Sequence, residues 1–113
     1  MNKEITWNEF EKIEIRVGTI IAVEDFPEAR KPAYKLTIDL GKELGTKKSS
    51  AQVTVLYKKQ ELMGRQVLCV CNFPKKQIGT FFSEVLTTGF VLDDESVVLA
   101  SVEQMVPNGV RLC

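Results

Sequence analysis

Hydrophobic and polar residues alternate along several stretches of the chain, most clearly after Ile13. From Ile13 to Glu24, every second residue is apolar or threonine. A period of two over about a dozen residues predicts a long β-strand, and Gly18 inside it indicates a bulge or a sharp coil. Residues 8–12, just ahead of this strand, predict a short helical turn that Asn8 would cap.

Shorter alternating or apolar runs predict the remaining strands. A second strand is expected at 34–40, a third at 49–55 and a last one at 97–102, and 81–90 is expected to contain another. Residues 67–73 are apolar on both faces up to Asn72, which is typical of a central strand covered on both sides. Glycine, proline and charged residues between these runs predict turns at 26–32, 41–45, 73–79, 93–95 and 106–110, and a helical turn within 56–63 that Gly64 would stop.

Five or six strands with unequal loops and no internal repeat predict an all-β fold. A long first strand interrupted by glycine favours a five-stranded OB-fold barrel with short helical turns, and a β-sandwich is the alternative. The chain has 113 residues, of which 44% are hydrophobic and 27% charged. This length suits one domain, and residues 1–113 are expected to form it.

The residue types that are missing or scarce restrict the possible functions. The chain has no histidine, the commonest general base and metal ligand. Its three cysteines, Cys69, Cys71 and Cys113, do not form a zinc-binding or dithiol pattern, and the first two are expected to be core thiols. We therefore expect no enzyme activity, no catalytic residues, no metal and no cofactor. No apolar run is long enough for a membrane helix, and no signal peptide is apparent, so we expect a cytoplasmic protein without membrane insertion.

The net charge of zero conceals an uneven distribution along the chain. Residues 30–79 carry eleven basic and three acidic side chains, whereas the remainder carries four basic and twelve acidic ones. If the fold gathers the middle segment on one side, that side will attract polyanions. The alternative is that the charges interleave in space. Three adjacent lysine pairs are expected at exposed turns: Lys47–Lys48, Lys58–Lys59 and Lys75–Lys76.

Basic residues close to aromatic and polar ones form the candidate binding site. Lysines can contact phosphates, and short polar side chains can bond to sugars or base edges. Phe73 and Phe81 are expected in the core rather than as stacking platforms, and Phe82 lies on the opposite strand face from Phe81. The candidate RNA-binding residues are Lys47, Lys48, Ser49, Ser50, Asn72, Lys75, Lys76 and Ser83.

Several motifs, in this order, resemble the tRNA-binding domain family, the OB-fold module appended to methionyl- and phenylalanyl-tRNA synthetases. They are Ile-Arg-Val-Gly-Thr-Ile at 15–20, Phe-Pro-Glu-Ala-Arg at 26–30, Lys-Leu-Thr-Ile-Asp-Leu-Gly at 35–41 and the segment from Asn-Phe-Pro at 72–74 to Ser83. The resemblance covers nearly the whole chain. It implies a barrel whose basic face binds tRNA or other structured RNA, with contacts at Ser49, Ser50, Asn72, Lys75, Lys76 and Ser83.

Residues 48–54, 83–86 and 106–109 resemble more specifically the CsaA group, small stand-alone members described as protein-export chaperones and homodimers. This resemblance implies a dimer built from the N-terminal helical turn and the C-terminal extension. RNA-binding relatives usually carry basic residues between the Asn72 and Ser83 positions. Here this stretch contains Gln77, Gly79, Thr80 and Phe82, and Ala51-Gln52 replaces a Ser-Gly pair.

These departures favour apolar contacts on the same surface. Two activities therefore remain open, RNA binding through the basic face and binding of unfolded or export-bound polypeptides through Phe81 or Phe82, and one protein can have both. The predicted function is a homodimeric protein-export chaperone that also binds tRNA, and the alternative is a polypeptide-binding chaperone without physiological tRNA binding. RNA binding would depend steeply on salt. The affinity for a polypeptide would depend only weakly on salt, and binding would be accompanied by a negative change in heat capacity.

Overall fold

The computed structural model describes residues 2–113 and contains short helices and mostly short strands. The helices are α1 (Trp7–Glu11), α2 (Gly41–Leu44) and α3 (Lys59–Leu62). The strands are β1 (Ile15–Asp25), β2 (Tyr34–Asp39), β3 (Thr46–Ala51), β4 (Gln66–Val70), β5 (Lys76–Ile78), β6 (Phe81–Ser83), β7 (Leu86–Thr87), β8 (Gly89–Val91) and β9 (Val97–Leu99).

Five of the strands form an antiparallel sheet in the order β3-β2-β1-β4-β7. The two edges of this sheet approach each other. The Glu84 amide donates a 2.7 Å hydrogen bond to the Lys48 carbonyl, and the Thr87 hydroxyl donates one of 2.8 Å to Ser49 Oγ. The sheet is therefore a nearly closed five-stranded barrel, and the predicted OB fold is confirmed. Two hairpins, β5–β6 and β8–β9, lie outside the sheet.

The bulge that Gly18 suggested is present in the long first strand, but at a different place. The register of β1 against β2 shifts between Ile20 and Ala22, so the bulge lies after Gly18. Ile20, just before the shift, is fully buried, and Ile21, at the shift, is exposed. At Gly18 itself, an added Cβ would lie 2.5 Å from Cγ2 of Ile38, so this position has no room for a side chain.

The barrel interior is filled by the inward residues of β2 and β4 together with side chains from the connecting segments. Leu36 and Ile38 of β2, Val67 of β4 and Leu62 of α3 are fully buried. Two tyrosines add polar links across this core: Tyr34 donates from its hydroxyl to the Tyr57 carbonyl at 2.8 Å, and the Tyr57 hydroxyl accepts from the Leu99 amide at 3.1 Å.

Several predicted boundaries are wrong. Thr6, not Asn8, caps α1, because its hydroxyl accepts from the Glu9 amide and the Glu9 carboxylate accepts from the Thr6 amide. The third strand begins at Thr46 and ends at Ala51, so Lys47 and Lys48 lie in a strand rather than a turn. The apolar stretch 81–90 is divided into β6, β7 and β8.

The two ends of the chain lie together against β1. The Arg111 guanidinium donates to the Glu11 carbonyl, and the Leu112 amide donates to the Ile15 carbonyl at 2.8 Å. Gly109 and Val110 bond through their backbones to Val17 and cover it. Among residues 2–113, no helix is long and apolar enough to cross a membrane.

Candidate nucleic-acid interface

The candidate site forms where β3 meets the β5–β6 hairpin. In the hairpin, Lys76 is opposite Ser83 and Gln77 is opposite Phe82. The Ser50 amide of β3 donates a 3.1 Å hydrogen bond to the Ser83 hydroxyl. This contact, together with the bond between Glu84 and Lys48, fixes the hairpin beside the strand that carries Lys47 and Lys48.

The barrel closure brings two distant lysine pairs into neighbouring positions, Lys47 and Lys48 of β3 and Lys75 and Lys76 at the hairpin. We call these four lysines the basic face. Lys47 and Lys75 line one cavity of about 190 Å³, and Lys48 and Lys75 line another of about 450 Å³. Lys76 lines a third cavity, of about 460 Å³, together with Ser50 and Ser83. Six of the eight predicted RNA-binding residues are thus neighbours in space.

The acidic residues beside the basic face neutralise only part of its charge. Glu84 lies 3.9 Å from the Lys75 ammonium group, and the Lys48 ammonium donates to the Thr37 hydroxyl at 2.7 Å. In the part of the chain that the structure describes, neither Lys47 nor Lys76 has a carboxylate within 4.0 Å. The basic face therefore keeps an excess of positive charge, because its ion pair between Lys75 and Glu84 is exposed and weak.

Ser49 does not belong to the accessible surface, so its assignment as an RNA contact is corrected. Its side chain is fully buried, accepts from the Thr87 hydroxyl at 2.8 Å and lies 3.4 Å from the Ser50 carbonyl. Alternation along β3 places Ser49 inside the barrel and leaves Ser50 partly accessible. Ser49 therefore helps to close the barrel.

Asn72 uses its side chain to fasten the segment before β1. Its carbonyl oxygen accepts from the Glu14 amide at 3.0 Å, and its amide nitrogen donates to the Lys12 carbonyl at 2.6 Å. The residue is exposed, so a ligand can reach its remaining donor and acceptor positions. An RNA contact at Asn72 would therefore use a side chain that also holds the segment before β1 in place.

The phenylalanines of the site differ in burial. Phe81 and Phe82 face opposite sides of β6 as predicted: Phe81 is partly buried, and Phe82 is 49% exposed. Phe81 stacks edge-on against Phe26, with ring centroids 5.2 Å apart. Phe73 is 55% exposed, so its expected place in the core is wrong.

Lys35 is a residue of this site that sequence reasoning missed. Its ammonium group lies 5.0 Å from the Phe26 ring centroid and 5.7 Å from that of Phe81. It also lines the cavity of Lys48 and Lys75. Its place between the inward residues Tyr34 and Leu36 was a signal that it faces outward, on the outer surface of β2.

The third lysine pair, Lys58–Lys59, lies at the start of α3. Lys59 donates to the Asp25 carboxylate at 2.9 Å, and this bond raises the pKa of Lys59 above its ordinary value. One of these two lysines, Lys59, therefore already forms an ion pair with a carboxylate of the same chain.

The cysteines and the acidic turn have structural explanations. Cys69 is fully buried, and burial raises the pKa of its thiol to about 12. Cys71 is partly buried, and burial also raises its pKa. In the 93–95 turn, bonds from the Ser96 hydroxyl and amide lower the pKa of Asp94. Across residues 2–113, no three histidine, cysteine, aspartate or glutamate residues form a group that could hold a metal ion.

Comparison with known proteins agrees with this geometry. Residues 15–111 match the family described as "Putative tRNA binding domain". The chain belongs to the tRNA-binding domain family. A methionine–tRNA ligase of Bacillus anthracis is 32% identical over 114 residues, which is 97% of this chain but 16% of the ligase. The chain thus spans about a sixth of the length of the curated relatives that it matches.

Two solved structures match the chain along nearly its whole length and identify it as CsaA-type. The crystal structure of chaperone CsaA from Bacillus anthracis has a TM-score of 0.92 and 41% identity, covering 98% of this chain and 100% of that one. The CsaA chaperone protein from Picrophilus torridus has a TM-score of 0.89 and 48% identity, covering 97% and 100%.

Proposed function

We propose that this chain is a non-catalytic, single-domain cytoplasmic protein that binds tRNA or another structured RNA through its basic face. The observation that carries the proposal is the convergence of Lys47 and Lys48 on β3 with Lys75 and Lys76 at the β5–β6 hairpin. The match to the tRNA-binding domain family supports it. Ser50 and Ser83, which line a cavity with Lys76, would bond to sugar or base groups.

The proposed contacts predict a specific dependence on salt. Each phosphate neutralised by a lysine releases condensed counterions, so affinity falls steeply as salt rises. Four lysines contacting phosphates would give a log–log slope of about −3 to −4. The structure of the RNA, rather than its whole sequence, would decide affinity, because lysine contacts to phosphates carry no sequence information.

The experiment is a titration of labelled tRNA, followed by fluorescence anisotropy at several salt concentrations. The variant replaces Lys47, Lys48, Lys75 and Lys76 with glutamine. The matched control replaces Lys3, Lys12, Lys58 and Lys59 with glutamine, so both variants lose the same charge. We expect weak binding and a shallow salt slope for the first variant and nearly unchanged binding for the control. Equal losses in the two variants, or no binding by the wild type at low salt, would contradict the proposal.

We also propose that the protein is a homodimer, because apolar side chains at both chain ends are exposed. Ile5 and Trp7 are each 63% exposed. Val110 and Leu112 are also exposed, in the C-terminal segment that Arg111 ties to the end of α1. Tryptophan is a frequent anchor of interfaces. Sedimentation equilibrium should give the dimer mass for the wild type and a monomer for Trp7→Lys, whereas a wild-type monomer would refute the dimer.

A second candidate function is the binding of unfolded or export-bound polypeptides. Phe73, Phe82 and Leu86 are exposed, and Phe73 and Leu86 line a cavity of about 270 Å³. Calorimetric titration with an unfolded polypeptide should show a negative heat-capacity change that persists at high salt. If the Phe82→Ala variant loses this binding but keeps tRNA binding, both functions are present. If only the polypeptide binds to the wild type, the RNA proposal is wrong.

A further inference from the structure

The two edges of the five-stranded sheet, β3 and β7, are joined at one end only. At that end the Glu84 amide donates to the Lys48 carbonyl at 2.7 Å. Farther along, no backbone hydrogen bond in the described part of the chain joins residues 50–53 to residues 86–91. These two segments instead border the cavity of about 460 Å³. We call this cavity the seam cleft.

The β3 side of the seam cleft presents backbone groups that have no partner. The amides of Lys48 and Ser50 point away from β2, and the alternation of a strand directs the Gln52 backbone the same way. Within residues 2–113, neither Gln52 nor Val53 forms a backbone hydrogen bond, although Val53 is only 2% exposed. Buried backbone groups without a partner are rare in folded proteins, so this edge is open to the backbone of a ligand.

The opposite side of the seam cleft is also an open edge. The Thr88 amide donates to a carbonyl of β4 at 3.0 Å, so the backbone groups of Thr87 point away from β4. The Thr88 carbonyl accepts from the Ala100 amide at 3.1 Å. This bond sets the phase of the β8–β9 ladder and directs the backbone groups of Gly89 and Val91 away from β9. All of these β7 and β8 residues line the cleft.

The direction of the two edges decides which way a chain would enter. All neighbouring strands of the sheet are antiparallel, so β3 and β7 run in the same direction. A strand inserted between them can therefore be antiparallel to both, which is the more stable pairing. Its carboxyl end then lies at the closed end of the seam cleft.

A cation and a free hydroxyl lie at this closed end. Lys76 is opposite Ser83 in the β5–β6 hairpin, and the Ser83 hydroxyl accepts from the Ser50 amide. In the described chain Lys76 has no carboxylate within 4.0 Å, and the Ser50 hydroxyl forms no hydrogen bond. An ammonium group and a hydroxyl suit a carboxylate. A strand inserted in the opposite direction would bring its own ammonium group beside Lys76.

The inner wall of the seam cleft is apolar. Val53 and Leu99 are buried, and Val97 is partly buried. A strand shows alternate side chains to opposite sides, so every second side chain of an inserted strand would contact this wall. The cleft therefore suits an extended segment with apolar residues at alternate positions.

We propose that the seam cleft binds the carboxyl-terminal segment of an extended polypeptide as an additional strand. The segment pairs with Gln52 on one side and with Gly89 on the other, and its terminal carboxylate binds Lys76 and Ser50. Strand addition of this kind takes its affinity from backbone hydrogen bonds. The inference goes beyond both proposed functions, because it does not need RNA and uses neither Phe73 nor Phe82.

The first test uses peptides and the unaltered protein. The probe is a short peptide of alternating serine and valine with a free carboxyl end and a neutral dye at its amino end, followed by fluorescence anisotropy. Two matched peptides have the same sequence, but one ends in a carboxamide and the other is N-methylated at every second residue. We expect the amidated peptide to bind about tenfold more weakly. The N-methylated peptide should not bind, because it has lost every donor for one of the two edges.

The second test assigns the carboxylate to Lys76. Lys76→Gln should bind the free-acid peptide about tenfold more weakly than the wild type does, and amidation should cause no further loss in this variant, because both changes remove the same interaction. The matched control is Lys42→Gln, since Lys42 is exposed and lies outside the cleft. It should keep the full difference between the two peptides.

The third test assigns the backbone pairing to Gln52. Gln52→Pro removes an amide hydrogen that has no partner in the described chain, and we expect peptide affinity to fall about threefold to tenfold. Gln52→Ala keeps the amide and should bind as the wild type does. Thermal unfolding checks that the proline variant is folded, and the peptide comparison on the wild type decides the question if it is not.

The outcomes separate the seam cleft from the other surfaces. Equal binding of all three peptides would place the contacts on side chains elsewhere, and no binding of any peptide would mean that the cleft takes no strand; either result overturns the inference. Peptide binding confined to Trp7→Lys would show that a second copy of the chain covers the cleft. A loss of tRNA affinity in Gln52→Pro without any peptide binding would assign the cleft to RNA. If the wild type fails to bind tRNA but the peptide results hold, the RNA proposal is wrong and this inference stands.

Discussion

Lys48 and Glu84 exchange two hydrogen bonds across the closing edge of the barrel. The Glu84 amide donates to the Lys48 carbonyl at 2.7 Å, and the Lys48 amide donates to the Glu84 carboxylate at 3.0 Å. The same carboxylate lies 3.9 Å from the Lys75 ammonium group. Glu84 thus supports the barrel closure and at the same time reduces the positive charge of the basic face.

These two roles of Glu84 predict different results for two substitutions. Glu84→Gln keeps an acceptor for the Lys48 amide and removes one negative charge. We expect RNA affinity at low salt to rise about twofold to fivefold and the gain to disappear at high salt. Glu84→Ala removes the acceptor and should lower the free energy of unfolding by about 1 kcal/mol. Urea unfolding and anisotropy titrations measure both effects. A loss of RNA affinity in Glu84→Gln would contradict this account.

The buried thiol of Cys69 predicts a loss of stability in alkali. Its pKa is raised by burial from an ordinary 9.0 to about 12. The folded state therefore holds this proton more tightly than the unfolded state, and the resulting stabilisation is complete below pH 9 and is lost as pH rises from 9 towards 12. Urea unfolding at several alkaline pH values should show a steeper decline for the wild type than for Cys69→Ala. Parallel declines would show that other groups cause it.

Differences in burial also predict the order in which the three thiols react. Cys113 is exposed, Cys71 partly buried and Cys69 fully buried. With limiting iodoacetamide at pH 8, we expect Cys113 to be alkylated first and Cys69 last, because the thiolate is the reactive form and must be accessible. Mass spectrometry of peptides at successive times gives the order. In urea the three rates should converge, and early modification of Cys69 in the native protein would contradict the structure.

The two neighbouring phenylalanines of β6 should separate stability from binding. Phe81→Ala removes the ring that contacts Phe26 and Lys35, so we expect a loss of about 1–3 kcal/mol in the free energy of unfolding. Phe82 is half exposed, and Phe82→Ala should leave thermal stability nearly unchanged. Scanning calorimetry of both variants tests this difference, and a greater loss of stability in Phe82→Ala than in Phe81→Ala would contradict the prediction.

Asn72 predicts a local rather than a global effect. Asn72→Ala removes the bonds to the Glu14 amide and the Lys12 carbonyl. We expect faster hydrogen exchange in residues 6–14 and a stability loss of about 1–2 kcal/mol. Asn72→Asp keeps the acceptor and should restore protection of the Glu14 amide. If RNA affinity also falls in Asn72→Ala while the salt slope stays the same, Asn72 contacts a sugar or base as well.

The alternation of side chains determined the elements that later form the barrel wall. Tyr34, Leu36 and Ile38 alternate with polar residues, and all three are buried on one face of β2. The apolar segment within 67–73 contains β4, which is an inner strand of the sheet between β1 and β7. These features could be read directly because a strand shows alternate residues to opposite sides whatever its neighbours are. The candidate lysines and serines could also be named from their chemistry alone.

Tertiary structure decided which of those residues can act together. The bulge after Ile20 reverses the burial phase of β1, and no local pattern marks its position. Ser49 and Ser50 are chemically identical and lie on opposite sides of β3, and the closure of the barrel against Thr87 seals the inner one, Ser49, away from solvent. The meeting of β3 with the β5–β6 hairpin likewise depends on contacts between segments distant in the chain. The sequence by itself therefore determined the strands and the chemistry available, whereas the basic face exists because a closed barrel brings distant edges together.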